Sequence, residues 1–132
     1  MKSLFILTGV VLFLSCSKKE ISVPGAADQN FFFKDENIAV QNFQALPSPG
    51  MITINFATSY EKNVQRIELM GGATTGSFCT IQGTNTAGNS TSVKNYSFQD
   101  SNLKGAIMYY MLRFEDNLGQ WSYSDYYTVE IH

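Results

Sequence analysis

The chain has 132 residues, enough for one domain with its own core, and 44% of them are apolar. Only 15% are charged and the formal net charge is -2, so there is no basic stripe to hold phosphates and nucleic-acid binding is not expected. Aromatics at 14%, frequent Thr, Val and Ile, and glycines and prolines placed mostly between apolar runs favour an all-β chain.

Lys2 gives a positive start, and Leu4 to Leu14 form an apolar run broken only by Thr8 and Gly9. A membrane span takes about 20 apolar residues, so this length suits the core of a signal peptide over residues 1–15. Phe13-Leu14-Ser15-Cys16, followed by the polar Ser17-Lys18-Lys19-Glu20, resembles the lipobox of bacterial lipoproteins, with Phe13 where that pattern usually has Leu. The resemblance implies cleavage before Cys16, a diacylglyceryl thioether on its sulfur and a further acyl chain on its new amino group. The alternative is an ordinary secretory signal followed by an unrelated cysteine. Two or more acyl chains anchor a protein stably where one does not. Ser17 in place of Asp implies the outer membrane by the same resemblance. Lys18-Lys19-Glu20 partly matches the tags that carry some lipoproteins of Gram-negative bacteria to the cell surface. With Cys16 lipidated, the core rather than a disulfide is expected to supply stability, and Cys79 is expected to be a buried, inert thiol.

Residues 16–35 read as a tether: Ser17 to Asn30 shows no periodicity and contains Pro24 and Gly25. Some 20 flexible residues would span about 25 Å and lift a domain over residues 36–132 clear of the headgroups. Phe31-Phe32-Phe33 is expected to cover one end of that domain, against a dip into the membrane interface or contact with a partner.

Ile38 to Leu46 reads as a first strand, ended by Pro47-Ser48-Pro49-Gly50. Met51 to Thr58 alternates, with Ile52, Ile54 and Phe56 on one face. A polar turn at residues 59–63 precedes a third strand, Val64 to Met70, whose inward pair is Ile67 and Leu69. Residues 71–76 form a glycine-rich turn, Phe78 to Gln82 a short fourth strand, and residues 83–91 a loop. Val93 to Gln99 carries Tyr96 and Phe98 at period two, and Asp100 to Gly105 is a corner.

The last quarter reads as a β-hairpin. Pairing Glu115 with Gln120 puts Phe114 opposite Trp121, Leu112 opposite Tyr123 and Met108 opposite Tyr127 on the inner side. The outer side then receives Arg113 with Ser122, Met111 with Ser124, and Tyr109 with Tyr126. Asp125 falls on the apolar side and marks a bulge.

From about Asn42 to Ile131 the ordered set of short strands resembles a fibronectin type III-like module, of the kind found in surface proteins of Gram-negative bacteria. The residues that carry the resemblance are Asn42-Phe43-Gln44-Ala45, Ile52-Thr53-Ile54-Asn55-Phe56, Tyr96-Ser97-Phe98-Gln99-Asp100, Tyr109 to Arg113 with Asp116 and Gly119, and Tyr123-Ser124. Phe56 stands where the pattern usually has Trp. The resemblance implies an Ig-like β-sandwich of about seven strands and a tyrosine corner, in which a Tyr hydroxyl bonds a nearby backbone group. Tyr110 is the expected corner residue and Tyr109 the alternative.

Catalytic signals are few. The single histidine is His132, so neither a Ser-His-Asp nor a Cys-His arrangement can be assembled from these residues. Neighbouring carboxylates on a strand point to opposite faces. Gly71 to Gly76 has the spacing of a phosphate loop, but Ser77 stands where Lys is required. Asp100 to Gly105 opens like a calcium loop, but Lys104 occupies a ligand position and Met111 the place of the bidentate Glu. No cofactor or metal is expected. The expectation is a non-catalytic, lipid-anchored module with a binding face of Tyr109, Met111, Arg113, Tyr126 and Trp121, extended by Arg66, Glu68 and Met70. Its partner would be a protein, or a glycan stacked on the tyrosines; the plainer reading is that these tyrosines serve cross-strand packing alone.

Overall fold

The computed structural model describes residues 26–27 and 33–131, so the signal peptide, Cys16, Phe31, Phe32 and His132 lie outside the described residues. Eight strands run in chain order, and there is no helix among the described residues. They are β1 (Ala26–Ala27), β2 (Phe33–Lys34), β3 (Ile38–Ser48), β4 (Met51–Thr74), β5 (Ser77–Ser90), β6 (Lys94–Asp100), β7 (Ile107–Asp116) and β8 (Trp121–Glu130). Every pairing is antiparallel except that of Ala26–Ala27 with Tyr126–Tyr127.

β4 is the spine. Its first half lies between β3 and β6, and its second half between β5 and β7. In the first half Ile52, Ile54 and Phe56 face the core; in the second Ile67 and Leu69 do, so the inward positions change from even to odd. Strand side chains alternate strictly, so this change requires an irregularity, and register shifts fall between Glu61 and Arg66. The polar stretch at residues 59–63 is therefore a bend within one strand, not the turn its composition suggested. Several of its groups find local partners: the Tyr60 hydroxyl donates to the Asp35 carbonyl and Lys62 N donates to the Asn37 carbonyl at 2.7 Å, while Asn63 takes φ 54.

β5 likewise continues through the expected loop at residues 83–91 as an edge strand beside β4. Its Thr- and Asn-rich sequence looks like a loop because an edge strand leaves many side chains in water. β2 pairs with β3, and the Phe33 ring stacks on Phe114 at 5.4 Å, so ordered pairing begins ahead of residue 36. Cys79 is half-buried in β5 rather than the fully buried thiol expected.

The closing hairpin forms in a shifted register. Asp116 opposes Gln120, accepting from Gly119 N at 3.1 Å and donating its own N–H to the Gln120 carbonyl at 2.9 Å. The Asp116 carboxylate also accepts from the backbone of Leu118 and Gln120, and Gly119 takes φ 78. This is a three-residue loop with glycine in the left-handed position, and it sets Glu115 opposite Trp121. Phe114 consequently faces Ser122, and Arg113 faces Tyr123. Trp121 and Tyr123 thus lie on the side away from Leu112 and Phe114.

The expected bulge is present at Ser124-Asp125, where two residues oppose Leu112 and the phase of β8 inverts, returning Tyr127 and Val129 to the core. The buried Ser124 hydroxyl accepts from Leu112 N at 2.9 Å and donates to the Asp125 carbonyl at 2.7 Å, repairing the ladder. Ser124→Ala is expected to strand the buried Leu112 N–H and cost about 1–3 kcal/mol in urea unfolding. Ser122→Ala, one pair nearer the turn, should stay within about 0.5 kcal/mol.

Candidate functional site

The outer face of the β8-β7-β4-β5 ribbon carries the candidate site. Direct pairing sets Glu68 opposite Arg113 and Met70 opposite Met111, which brings the expected third-strand residues beside the hairpin. Two neighbourhoods result, one charged and one apolar.

The charged one centres on Glu68, which is 7% exposed. Arg113 donates through Nε and Nη2 to Glu68 Oε2 at 2.8 and 2.6 Å, and Arg66 Nε donates to Oε1 at 2.8 Å. Thr80 Oγ1 adds a bond to Oε2 at 3.1 Å. Gly83 lies opposite Glu68, and a Cβ there would sit 2.5 Å from Arg66 Nη2, so glycine makes room for the arginine to cross. Beyond this pair, the Arg113 guanidinium lies over the Trp121 ring at 4.1 Å.

The apolar neighbourhood is a second cluster on the face opposite the main core: Met70, Phe78 and Met111 are buried, with Tyr109, Tyr123 and Tyr126 packed against them. Met111, expected as a surface contact, is 0% exposed. It corrects the predicted face: Met111 supports the tyrosines from beneath and is not itself available. Tyr109 and Tyr126 meet edge to face, with centroids 5.6 Å apart at 84°. Phe78 and Tyr123 were missed because both faces of this ribbon are apolar, and alternation cannot then say which side is inside.

The expected corner residue Tyr110 is fully buried, but its hydroxyl donates to Asp100 Oδ2 at 2.7 Å rather than to a backbone group. Burial, the bond to Asp100 and that carboxylate's charge push the hydroxyl above its ordinary range, so it remains a donor. Among the described residues no group of three or more His, Cys, Asp or Glu can hold a metal ion.

Burial alone would raise the Glu68 pKa, but the bonds from Arg66 and Arg113, the charge of Arg113 and the bond from Thr80 together outweigh it, holding the carboxyl below its ordinary range. The stability this contributes is complete above the unfolded value of about 4.3 and is lost as pH falls through the depressed folded value. Thermal melts taken from about pH 6 down to about pH 3 should therefore show a steeper acid loss in the wild type than in Glu68→Gln, whose amide does not titrate.

No family model matches the chain, and neither does any curated protein. Among solved structures, it is similar to a catalytically inactive OgpA from Akkermansia muciniphila in complex with an O-glycopeptide (glycodrosocin) substrate, with a TM-score of 0.56 and 10% identity. That match takes in 76% of this chain and 30% of the other, so the chain spans under a third of that protein's length. A Br derivative of BhCBM56 aligns over 76% of this chain and 98% of its own, with a TM-score of 0.43 and 12% identity. At 10% identity the first likeness is one of fold: an all-β, antiparallel architecture.

Proposed function

We propose that the chain is a non-catalytic lipoprotein: a signal peptide over residues 1–15, a lipid on Cys16, and a fibronectin type III-like sandwich that docks a protein partner through the outer face of β7 and β8. The sandwich reading is supported by one core cluster that draws residues from both halves of β4 and from β3, β6, β7 and β8. The docking reading is carried by the second apolar cluster, with half-buried tyrosines around Met70, Phe78 and Met111 on the face turned away from that core. Such a fixed, amphipathic aromatic surface beside a charged pair has the make-up of an interface centre. The non-catalytic reading rests on residue chemistry: the sequence holds one histidine, His132.

A glycan-binding platform is the alternative, and ring geometry favours the protein partner over it. Stacking on a sugar needs aromatic faces that are open and roughly coplanar, whereas Tyr109 and Tyr126 stand at 84° and one face of Trp121 is covered by Arg113. Tyr109→Ala and Tyr126→Ala should each weaken capture of a defined protein from native membranes by about tenfold or more, as hot-spot aromatics do, while a glycan array stays silent. Array signal that disappears in these two variants would establish the sugar reading instead.

Lipidation has its own test. Intact mass of the membrane-extracted protein should show the diacylglyceryl addition on Cys16, and Cys16→Ser should move the protein to the aqueous phase in detergent partitioning. Retention of Cys16→Ser with the membrane fraction would refute the anchor.

A further inference from the structure

Away from the tyrosine face, a cleft of about 440 Å³ opens between the β5 edge and the segment that follows β6. That volume lies within the roughly 300–1,000 Å³ of small-ligand sites. Its walls come from two stretches distant in sequence, Gly71 to Ile81 and Gln99 to Lys104, with Met108 behind them. At the inner end Gly71 lets the Ile81 and Tyr110 side chains lie against the backbone: a Cβ there would sit 2.4 Å from Ile81 Cδ1 and 2.8 Å from the Tyr110 ring. A bond from Gln99 N to Gln82 Oε1 at 2.9 Å ties the two walls together.

Asp100 is the unusual group. It is 2% exposed, it lines the cleft, and no cation is paired with it among the described residues. Neutral donors hold it instead: Tyr110 Oη on Oδ2 at 2.7 Å and Asn102 N on Oδ1 at 3.0 Å. A carboxylate can accept about four hydrogen bonds, so each oxygen keeps an acceptor position after these two. Around it stand side chains that both donate and accept: Thr74, Ser77, Gln99 and Asn102, with Lys104 as a further donor. No aromatic ring is among the lining residues, so recognition here would run through hydrogen bonds rather than stacking.

We propose that this cleft binds a small hydroxyl-rich ligand, a single sugar residue or polyol, whose adjacent hydroxyls donate to Asp100 and accept from Asn102, Gln99 and Lys104. Hydroxyl groups fit because they serve as donor and acceptor at once, as the mixed lining requires. The charged acceptor, already fixed in place by Tyr110 and Asn102, gives the strongest single bond. This site shares Thr80 with the charged neighbourhood beside the docking face but draws on none of Tyr109, Tyr123, Tyr126 or Trp121.

Titration of the ¹⁵N-labelled full chain with glucose, galactose, N-acetylglucosamine and glycerol tests it. At least one probe should give saturable amide shifts at Thr74, Ser77, Gln99 and Asn102. Ser101→Trp, an exposed position on the cleft wall, should abolish them while leaving the rest of the spectrum unchanged. Asp100→Asn should weaken binding by about tenfold, the loss of one charge-assisted bond. If Asp100→Asn proves unfolded, Ser101→Trp alone decides. Silence from all four probes, or shifts that persist in Ser101→Trp, would overturn the proposal. Shifts confined to Tyr109, Tyr123 and Tyr126 would overturn it too, and would support the sugar reading of that other face.

Discussion

One strand sets the terms for the whole fold. β4 is hydrogen-bonded to four others, β3 and β6 along its first half and β5 and β7 along its second. A straight strand could not do this and still point apolar side chains at one core, because each half must turn its own inner face the same way. The irregular stretch between Glu61 and Arg66 resolves the conflict by moving the inward positions from even to odd. Polar groups at the bend are then drawn inward: Glu61 is 3% exposed, and its Oε1 accepts from Thr58 Oγ1 at 3.2 Å and from the Tyr96 hydroxyl. Burial, and then the bond to Glu61 and that carboxylate's charge, push the Tyr96 hydroxyl above its ordinary range, which keeps its proton in place as the donor that the bend requires.

The same device appears a second time in β8. A bulge at Ser124-Asp125 inverts the phase, so Trp121 and Tyr123 lie outward before it, and Tyr126 lies outward after it. Without the bulge, the side chains of either the turn end or the open end would fall on the wrong face. The outer face owes the placement of Trp121, Tyr123 and Tyr126, its three β8 aromatics, to this single extra residue. The bulge that lets the hairpin close the core also arranges the surface that faces away from it.

How far the sequence could be read follows from these two phase changes. The all-β class, the hairpin and the core positions Ile52, Ile54, Phe56, Ile67, Leu69 and Leu112 were all legible, because within each half of a strand the alternation is regular. The break at residues 59–63 was legible as a polar gap but not as a bend, since a turn and a bulged strand leave the same gap in an apolar pattern. The hairpin register is not legible because Asp116-Asn117-Leu118-Gly119 suits a four-residue turn equally well; the Asp116 carboxylate and Gly119 make it three. With apolar residues on both sides of the ribbon, no burial preference remained to correct that count. Arg113 and Glu68 were assigned to one face correctly, yet their pairing across β7 and β4 is a fact of register that only the fold could supply.

Two stretches set aside in the sequence acquire meaning from their placement. Gly71 to Gly76 lacks the lysine of a phosphate loop, and Asp100 to Gly105 lacks the ligands of a calcium loop, so neither is a site alone. The fold sets residues of both against one cleft. The features that disqualified each motif suit the pair: small residues give close backbone approach on one wall, and an isolated carboxylate with amide neighbours lines the other. No local motif could reveal this cleft, because its walls come from two edges that meet only when β4 carries β5 and β6 on its opposite halves.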